Sequence, residues 1–244
     1  MRILVANANT TEAITELCAA AARAVASPGV EVIAATPRFG PAVISSRAEN
    51  VVAGHALLEL LAEHAGQVDA VVLAVSHDTA LEAARQVMPC PVVGMTEAAC
   101  FAACMLATRF GLVTLGGVET YRELIGRHGL SSRLAGLEGI ATTPQEALRD
   151  PDAAAALLEA AIARLVAQGA EAVVLGGAAL AGMAGRLTAP VPVLDGMACG
   201  VRLAEALAGL RVARPHAGSL APVRGRETSG LGPALAALLQ RSPA

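Results

Sequence analysis

Asp69-Ala70-Val71-Val72-Leu73-Ala74-Val75 and Glu171-Ala172-Val173-Val174-Leu175-Gly176-Gly177 are two versions of one phrase. Each opens on an acid, runs through Ala-Val-Val-Leu and ends on small or apolar residues. Each is followed by a loop, a short helical stretch and a Pro-x-Pro lead into another apolar run. That lead is Pro89-Cys90-Pro91-Val92-Val93 in the first case and Pro190-Val191-Pro192-Val193-Leu194 in the second. The two phrases are offset by about 102 residues, and a shared order of elements over such a length is the signature of an internal duplication. A weaker echo of Ile3-Leu4-Val5 in Gly111-Leu112-Val113 extends the repeat.

Short, wholly apolar runs of this kind read as strands buried on both faces, as in a parallel sheet covered by helices. Working outward from the repeat, the same criterion predicts strands at Ile3–Ala6, Val30–Ala35, Ala70–Val75, Val92–Met95, Gly111–Leu115, Gly139–Thr142, Ala172–Leu175 and Val191–Leu194. Helical faces lie between them: Ile14, Leu17, Cys18, Ala21 and Val25 share one stripe, and Leu157, Leu158, Ala161, Ile162 and Leu165 another. Strands alternating with helices give an α/β fold. The expected architecture is therefore two pseudo-twofold-related Rossmann-like units, each with a parallel four-stranded sheet, and a cleft between them. Unit one is expected over 1–96 and unit two over 97–210, with the less regular tail 211–244 packing back on unit one.

Composition narrows the partners. Of the 244 residues, 55% are hydrophobic and 16% charged, which is core-forming sequence rather than disorder. A net charge of -3, with Phe39, Phe101, Phe110 and Tyr121 as the only aromatics, excludes a phosphate-backbone or base-stacking surface, so no nucleic acid is expected. No apolar run reaches the roughly 18 to 20 residues of a membrane helix, and Met1-Arg2-Ile3-Leu4-Val5-Ala6-Asn7 reads as a first strand rather than a signal segment. Cys18, Cys90, Cys100, Cys104 and Cys199 form no CxxC pair and no metal spacing, and an odd count in apolar helical runs fits reduced thiols in the cytoplasm. His55, His64, His128 and His216 are scattered, without the i, i+4 spacing of a zinc site. Neither G-x-G-x-x-G nor a Walker lysine is present where it would bind phosphate. No metal and no cofactor are expected; a small-molecule substrate and a homo-oligomer are.

Open parallel sheets bind ligands beyond the carboxyl ends of their strands. Two facing units bring four loops to one cleft: Asn7-Ala8-Asn9-Thr10-Thr11, Ser76-His77-Asp78-Thr79, Gly116-Gly117 and Gly177-Ala178-Ala179. The asparagine loop leads into a helix, so Asn7, Asn9 and Thr10 hold a carboxylate or imide oxygen, or else Thr10 or Thr11 caps the helix while the asparagines shape the turn. Ser76, His77 and Asp78 are the candidate catalytic residues. They are not a triad, since triads are assembled in space and no G-x-S-x-G turn is present. Thr79, Thr96, Glu97, Gly177, Ala178 and Asp195 complete the candidate substrate-binding set. Asp78, Thr79 and Asp195 have capping a helix as the competing role.

These residues carry a family likeness. Arg2-Ile3-Leu4-Val5-Ala6-Asn7-Ala8-Asn9-Thr10-Thr11 resembles the Asn-Pro-Asn-Thr-Ser opening of the hydantoin racemases, within the aspartate/glutamate racemase superfamily. Phe39-Gly40-Pro41-Ala42, with Ser45-Ser46 and Glu49, is similar to the family's second-strand loop. Pro91-Val92-Val93-Gly94-Met95-Thr96-Glu97-Ala98-Ala99 matches its Pro-Val-x-Gly-x-x-Glu-Ala-Ala stretch, Val193-Leu194-Asp195-Gly196 its late Val-x-Asp-Gly, and Gly218-Ser219-Leu220-Ala221-Pro222 its closing Gly-x-x-Ala-Pro. The likeness runs in order along nearly the whole chain.

The resemblance implies a duplicated fold, a cleft active site free of metal and organic cofactor, and racemisation through a planar carbanion. Such chemistry needs a base on one face of the carbon and an acid on the other. In the family two cysteines serve, one after the third strand of each half. Here those positions fall on Val75 or Ser76 and on Gly177 or Ala178, and none of the five cysteines lands at either. Cys199, nearest to a strand end, reads as a small hydrophobe at the start of a helix. Three readings remain: an isomerase of a hydantoin, allantoin or amino-acid derivative using Ser76, His77, Asp78 or water; a decarboxylase-like enzyme; and a non-catalytic binder of a small carboxylate or ureide.

Overall fold

A computed structural model describes residues 1–223 and 225–240; the last four residues of the expected tail, and Arg224 within it, lie outside the described residues. Eight strands form two four-stranded sheets. β1 (Arg2–Ala6), β2 (Glu31–Ala35), β3 (Ala70–Leu73) and β4 (Val92–Gly94) make the first, in the order β2-β1-β3-β4. β5 (Phe110–Leu115), β6 (Leu134–Ile140), β7 (Ala172–Gly176) and β8 (Val193–Asp195) make the second, in the matching order β6-β5-β7-β8. Every neighbouring pair is parallel. The expected fold class is thus the observed one.

The apolar strands are filled on both faces. In the first sheet Ile3, Val5 and Val72 point into a core with α1 (Glu12–Val25) and α8 (Gly196–Leu210). Leu4, Ala6, Val71 and Leu73 point the other way, toward α2 (Arg47–His64) and α3 (Leu81–Val87). In the second sheet Val113, Val173 and Leu175 pack on α7 (Pro151–Ala167), while Leu112, Ala172 and Val174 pack on α4 (Met95–Leu106) and α5 (Glu119–Arg127). Alternation along a doubly covered strand leaves no polar face, which is why the repeat reads as continuous hydrophobicity.

The helices that follow β4 and β8 are exchanged. α4 leaves the first sheet and packs on β7, and α8 leaves the second sheet and packs on β1, β3 and β4. The expected boundary at residue 96 therefore falls in the first turn of α4. Glycines permit the crossing: a Cβ on Gly200 would lie 2.8 Å from Val72 Cγ1, and one on Gly196 would lie 2.9 Å from Met95 Cε. In the tail, α9 (Pro233–Gln240) lies along α2, and Gly232 N–H donates to Glu59 Oε1 at 2.8 Å.

One strand differs from its expected place. β6 spans Leu134–Ile140 rather than 139–142. It is a half-exposed edge strand containing Gly136 and Glu138, so it lacks the apolar run that marks its buried neighbours.

Candidate active site

The carboxyl ends of β1, β3, β5 and β7 converge on a cavity of about 400 Å³. That is within the range of sites for small molecules. Asn9 and Thr11 line it from beyond β1, Val75, Ser76 and His77 from beyond β3, and Thr114 to Gly117 from β5 and its loop. Gly177, Ala178 and Ala179 line it from beyond β7, and Glu119, Thr120 and Tyr121 from α5.

Two loops close the mouth, and both are fixed by the same device. Ser46 accepts from the Glu49 amide at 3.2 Å while the Glu49 carboxylate accepts from the Ser46 amide at 2.8 Å, a capping box at the start of α2. The same carboxylate accepts from the Ser45 hydroxyl and amide, which pulls the Glu49 acid down to about 2. Thr143 and Glu146 repeat this box at the start of α6 (Pro144–Arg149). The boxes set Val43, Ile44 and Ser45 on one rim and Pro144, Gln145 and Leu148 on the other.

Of the residues singled out in the sequence, Asn9, Ser76, His77, Gly177 and Ala178 meet at this cavity. Asn7 is fully buried and shapes the loop: its Nδ2 donates to Asn9 Oδ1 and Thr15 Oγ1, each at 3.0 Å. Thr10 is held by its backbone, which donates to the Pro41 carbonyl at 3.0 Å. The Thr11 hydroxyl makes no cap for α1, because it donates to the Ala42 carbonyl at 2.7 Å. Asp78 turns inward and accepts from the amides of Thr96 (3.1 Å) and Glu97 (2.7 Å), so it holds the start of α4. Thr79 donates to Asn50 Oδ1, Thr96 to the Ser76 carbonyl, and Glu97 pairs with Arg85 through two contacts of 3.1 and 2.6 Å. Asp195 accepts from the amides of Met197 and Ala198 as the N-cap of α8.

Sequence reasoning placed Thr11 in a cleft loop but did not pick out Thr114, Glu119, Thr120 or Tyr121 as cavity residues. The two Ser/Thr-x-x-Glu boxes, offset by about one repeat length, were the available signal for the rims. Tyr121 matters most for the geometry. Its hydroxyl lies 2.8 Å from Ser76 Oγ and 3.1 Å from the Gly176 carbonyl, and its one proton serves either acceptor. A single phenol therefore ties the end of β3 to the end of β7. The His77 ring stacks at 5.1 Å from the Tyr121 ring, and its Nε2 is 3.2 Å from Thr120 Oγ1.

Burial shifts the ionisable groups in the wall toward their uncharged forms. Burial lowers the His77 pKa below the usual imidazole value, so the ring is held uncharged. Burial also raises the Tyr121 hydroxyl, which stays protonated as a donor. Among the described residues no arginine lines the cavity, the chain has no lysine, and Glu119 is the only carboxylate in the wall. No cysteine lines it either. Burial pushes the Cys18 thiol up to about 12, Cys90 and Cys199 up to about 11, and Cys100 well above its ordinary value. These thiols are the reverse of activated ones, which need a nearby positive charge or a helix N-terminus. Among the described residues, no cluster of three or more His, Cys, Asp or Glu side chains could hold a metal ion, and no helix is long and apolar enough to cross a membrane.

Comparison with known proteins agrees with this fold. The family model described as Asp/Glu/Hydantoin racemase matches residues 3–204. The chain is 38% identical to a hydantoin racemase of Pseudomonas sp. (strain NS671) over 220 residues, covering 86% of this chain and 87% of that protein. Among solved structures it is similar to an allantoin racemase from Klebsiella pneumoniae (TM-score 0.88, 36% identity, 98% of each chain). It is also similar to an allantoin racemase from Pseudomonas fluorescens (TM-score 0.90, 32% identity, 94% of this chain and all of that one). A family match over most of the chain, whole-chain relatives above 30% identity and two parallel sheets of matching order lead to one conclusion: the chain belongs to the Asp/Glu/hydantoin racemase family.

Proposed function

We propose that the cavity takes a small uncharged ureide of the hydantoin or allantoin class and moves the proton on its stereogenic carbon, with His77 as the group that carries it. The observation behind this reading is His77 itself: an imidazole in the cavity wall at the end of β3, held between Thr120 and Tyr121. The relatives' names supply the substrate class. The lack of a cationic side chain in the wall argues against free aspartate or glutamate, whose carboxylates would enter uncompensated.

In the first step His77 takes the proton from the carbon, and the electron pair left behind spreads into the adjoining ring carbonyl. The hydroxyls of Ser76 and Tyr121 and the polar loop at Asn9 supply hydrogen bonds for that oxygen as its charge grows. In the second step the imidazolium, or a water on the other side, returns a proton. The β7 side of the cavity carries Gly177 and Ala178, which have no proton to give. Return by the imidazolium restores the starting enantiomer, so inversion depends on the water and is the slower outcome; the side chains at Val75 or Ser76 and at Gly177 or Ala178 offer no thiol for it.

This imbalance between the two faces has a measurable consequence. In D₂O, with single enantiomers of allantoin and 5-substituted hydantoins, proton NMR should record loss of the α-proton faster than loss of optical activity. His77→Gln should abolish that exchange. Absence of exchange on every ureide, together with saturable ligand shifts, would overturn the isomerase reading and leave a binder, which the bare positions at Val75 and Gly177 also favour.

A further inference from the structure

Behind the cavity wall, at the far end of α5, lies a group of ionisable side chains that the proton transfer does not use. His128, the residue that ends α5, has a side chain only 8% exposed. Its Nε2 is 3.8 Å from Asp78 Oδ2 and has no hydrogen-bond partner, and its Nδ1 is 3.9 Å from Glu97 Oε1. These distances are longer than hydrogen bonds, so the ring packs against both carboxyl groups. The groups facing it are Asp78 from the loop after β3, Arg85 from α3 and Glu97 from α4, while the Cys100 thiol lies in the field of the same two carboxylates. The Phe101 ring covers the imidazole edge-on at 6.1 Å.

The Asp78 and Glu97 carboxyl groups, the Arg85 guanidinium and the His128 ring thus meet in a nearly closed space between α3, α4 and the end of α5. Asp78 also sits on strained backbone, with φ of 46° there and 55° at Ala80. Non-glycine residues in this region cost about 1 kcal/mol or more each and persist only where their surroundings over-determine them. The α4 amides supply one restraint on Asp78 and His128 supplies another.

Both ends of α5 therefore grip the same loop. At its start Thr120 meets His77 and Tyr121 meets Ser76; at its end His128 meets Asp78. We infer that His128 is a positioning residue for the cavity: packed on the Asp78 and Glu97 carboxylates, it holds α5 against the loop that carries Ser76 and His77. Its bearing on turnover rests on the reading that His77 moves the proton; its bearing on cavity geometry does not.

The chain has one tyrosine and no tryptophan, so its intrinsic emission comes from Tyr121 in the cavity wall. In His128→Gln, acrylamide quenching of Tyr121 should rise and amide deuterium exchange along α5 should quicken about tenfold, the change that a loss of roughly 1.4 kcal/mol in local opening produces. His128→Arg, whose guanidinium N–H groups can reach both carboxyl groups, should restore both. A folded His128→Gln with wild-type quenching and exchange would overturn the inference. Should that variant not fold, the same two readouts are taken on Glu97→Gln, which alters the partner of Nδ1. Quickened exchange along α5 supports the assignment, and wild-type exchange and quenching overturn it. Neither readout needs substrate, so a failed exchange assay beside a mobilised Tyr121 sinks the proposed function and leaves the positioning role standing.

Discussion

His77 is kept neutral by being covered, and the sign of that effect can be worked through. A histidine whose pKa is lowered in the fold binds fewer protons there than in the unfolded chain. Its contribution to stability is present above the unfolded imidazole value of about 6.5 and is lost as pH falls through the folded value. The unfolding midpoint should therefore drop as the solution is acidified below neutrality, and His77→Gln should remove part of that drop. For ureide exchange the same shift moves the acid limb of the rate profile below the range of free imidazole. Both are read by scanning pH with thermal unfolding and with the D₂O exchange assay; an acid limb at or above the free-imidazole value would contradict the burial argument. Several other polar residues near the strand ends look equally chemical in the sequence, yet the structure turns them inward. Asp78, Thr96 and Asp195 serve helix starts or neighbouring carbonyls. Serine, threonine and aspartate are the residues that suit both a ligand contact and an N-cap, so residue type alone does not separate the two uses.

At the scale of elements, the strands were legible and the partners of the helices were not. Ala-Val-Val-Leu needs no context to be read as a doubly buried strand, because no alternation survives when both faces are covered. β6 lacked that signal because it lies at an edge with one side partly open. The helices α4 and α8 carry apolar faces that either sheet could accept, so their exchange lies in packing rather than in pattern. Two glycines mark the close approaches that packing requires. Gly94 leaves room for the Asp78 carboxylate, against which a Cβ there would collide, and Gly200 lets α8 rest on Val72. Gly200→Ala pushes a methyl into the backbone-to-side-chain contact and should cost about 1–3 kcal/mol, the usual price of overpacking. Gly94→Ala should cost a similar amount and, in addition, disturb ligand binding, because the displaced carboxylate begins two residues beyond Ser76. Chemical denaturation compares the two variants, and ligand titration should separate them; equal ligand affinity in both would detach Asp78 from the cavity.

For the whole molecule, the exchanged helices mean that neither sheet is covered by its own half of the sequence. The expected boundary at residue 96 follows from the order of the repeat and says nothing of how the helices pack. Met197, Val201 and Ala204 of α8 are fully buried in the core beneath Ile3, Val5 and Val72, so the first sheet depends on residues about 100 positions beyond its last strand. Burying one such Met or Val is worth about 1.5–3 kcal/mol, against a total stability of roughly 5–15 kcal/mol for a domain. A chain ending at Asp195 therefore loses several of these contributions from sheet one at once, while α4 still covers its share of sheet two. The truncated protein should keep much of its far-ultraviolet circular dichroism, bind a hydrophobic dye and lose its sharp thermal transition, the marks of a compact state without fixed packing. The full chain should instead unfold in one step that includes Tyr121 emission, since the cavity joins both sheets through that phenol. A sharp transition in the truncated chain at the full-length midpoint would mean that α1 alone closes the first sheet, and the exchange would then be a consequence of duplication rather than a source of stability.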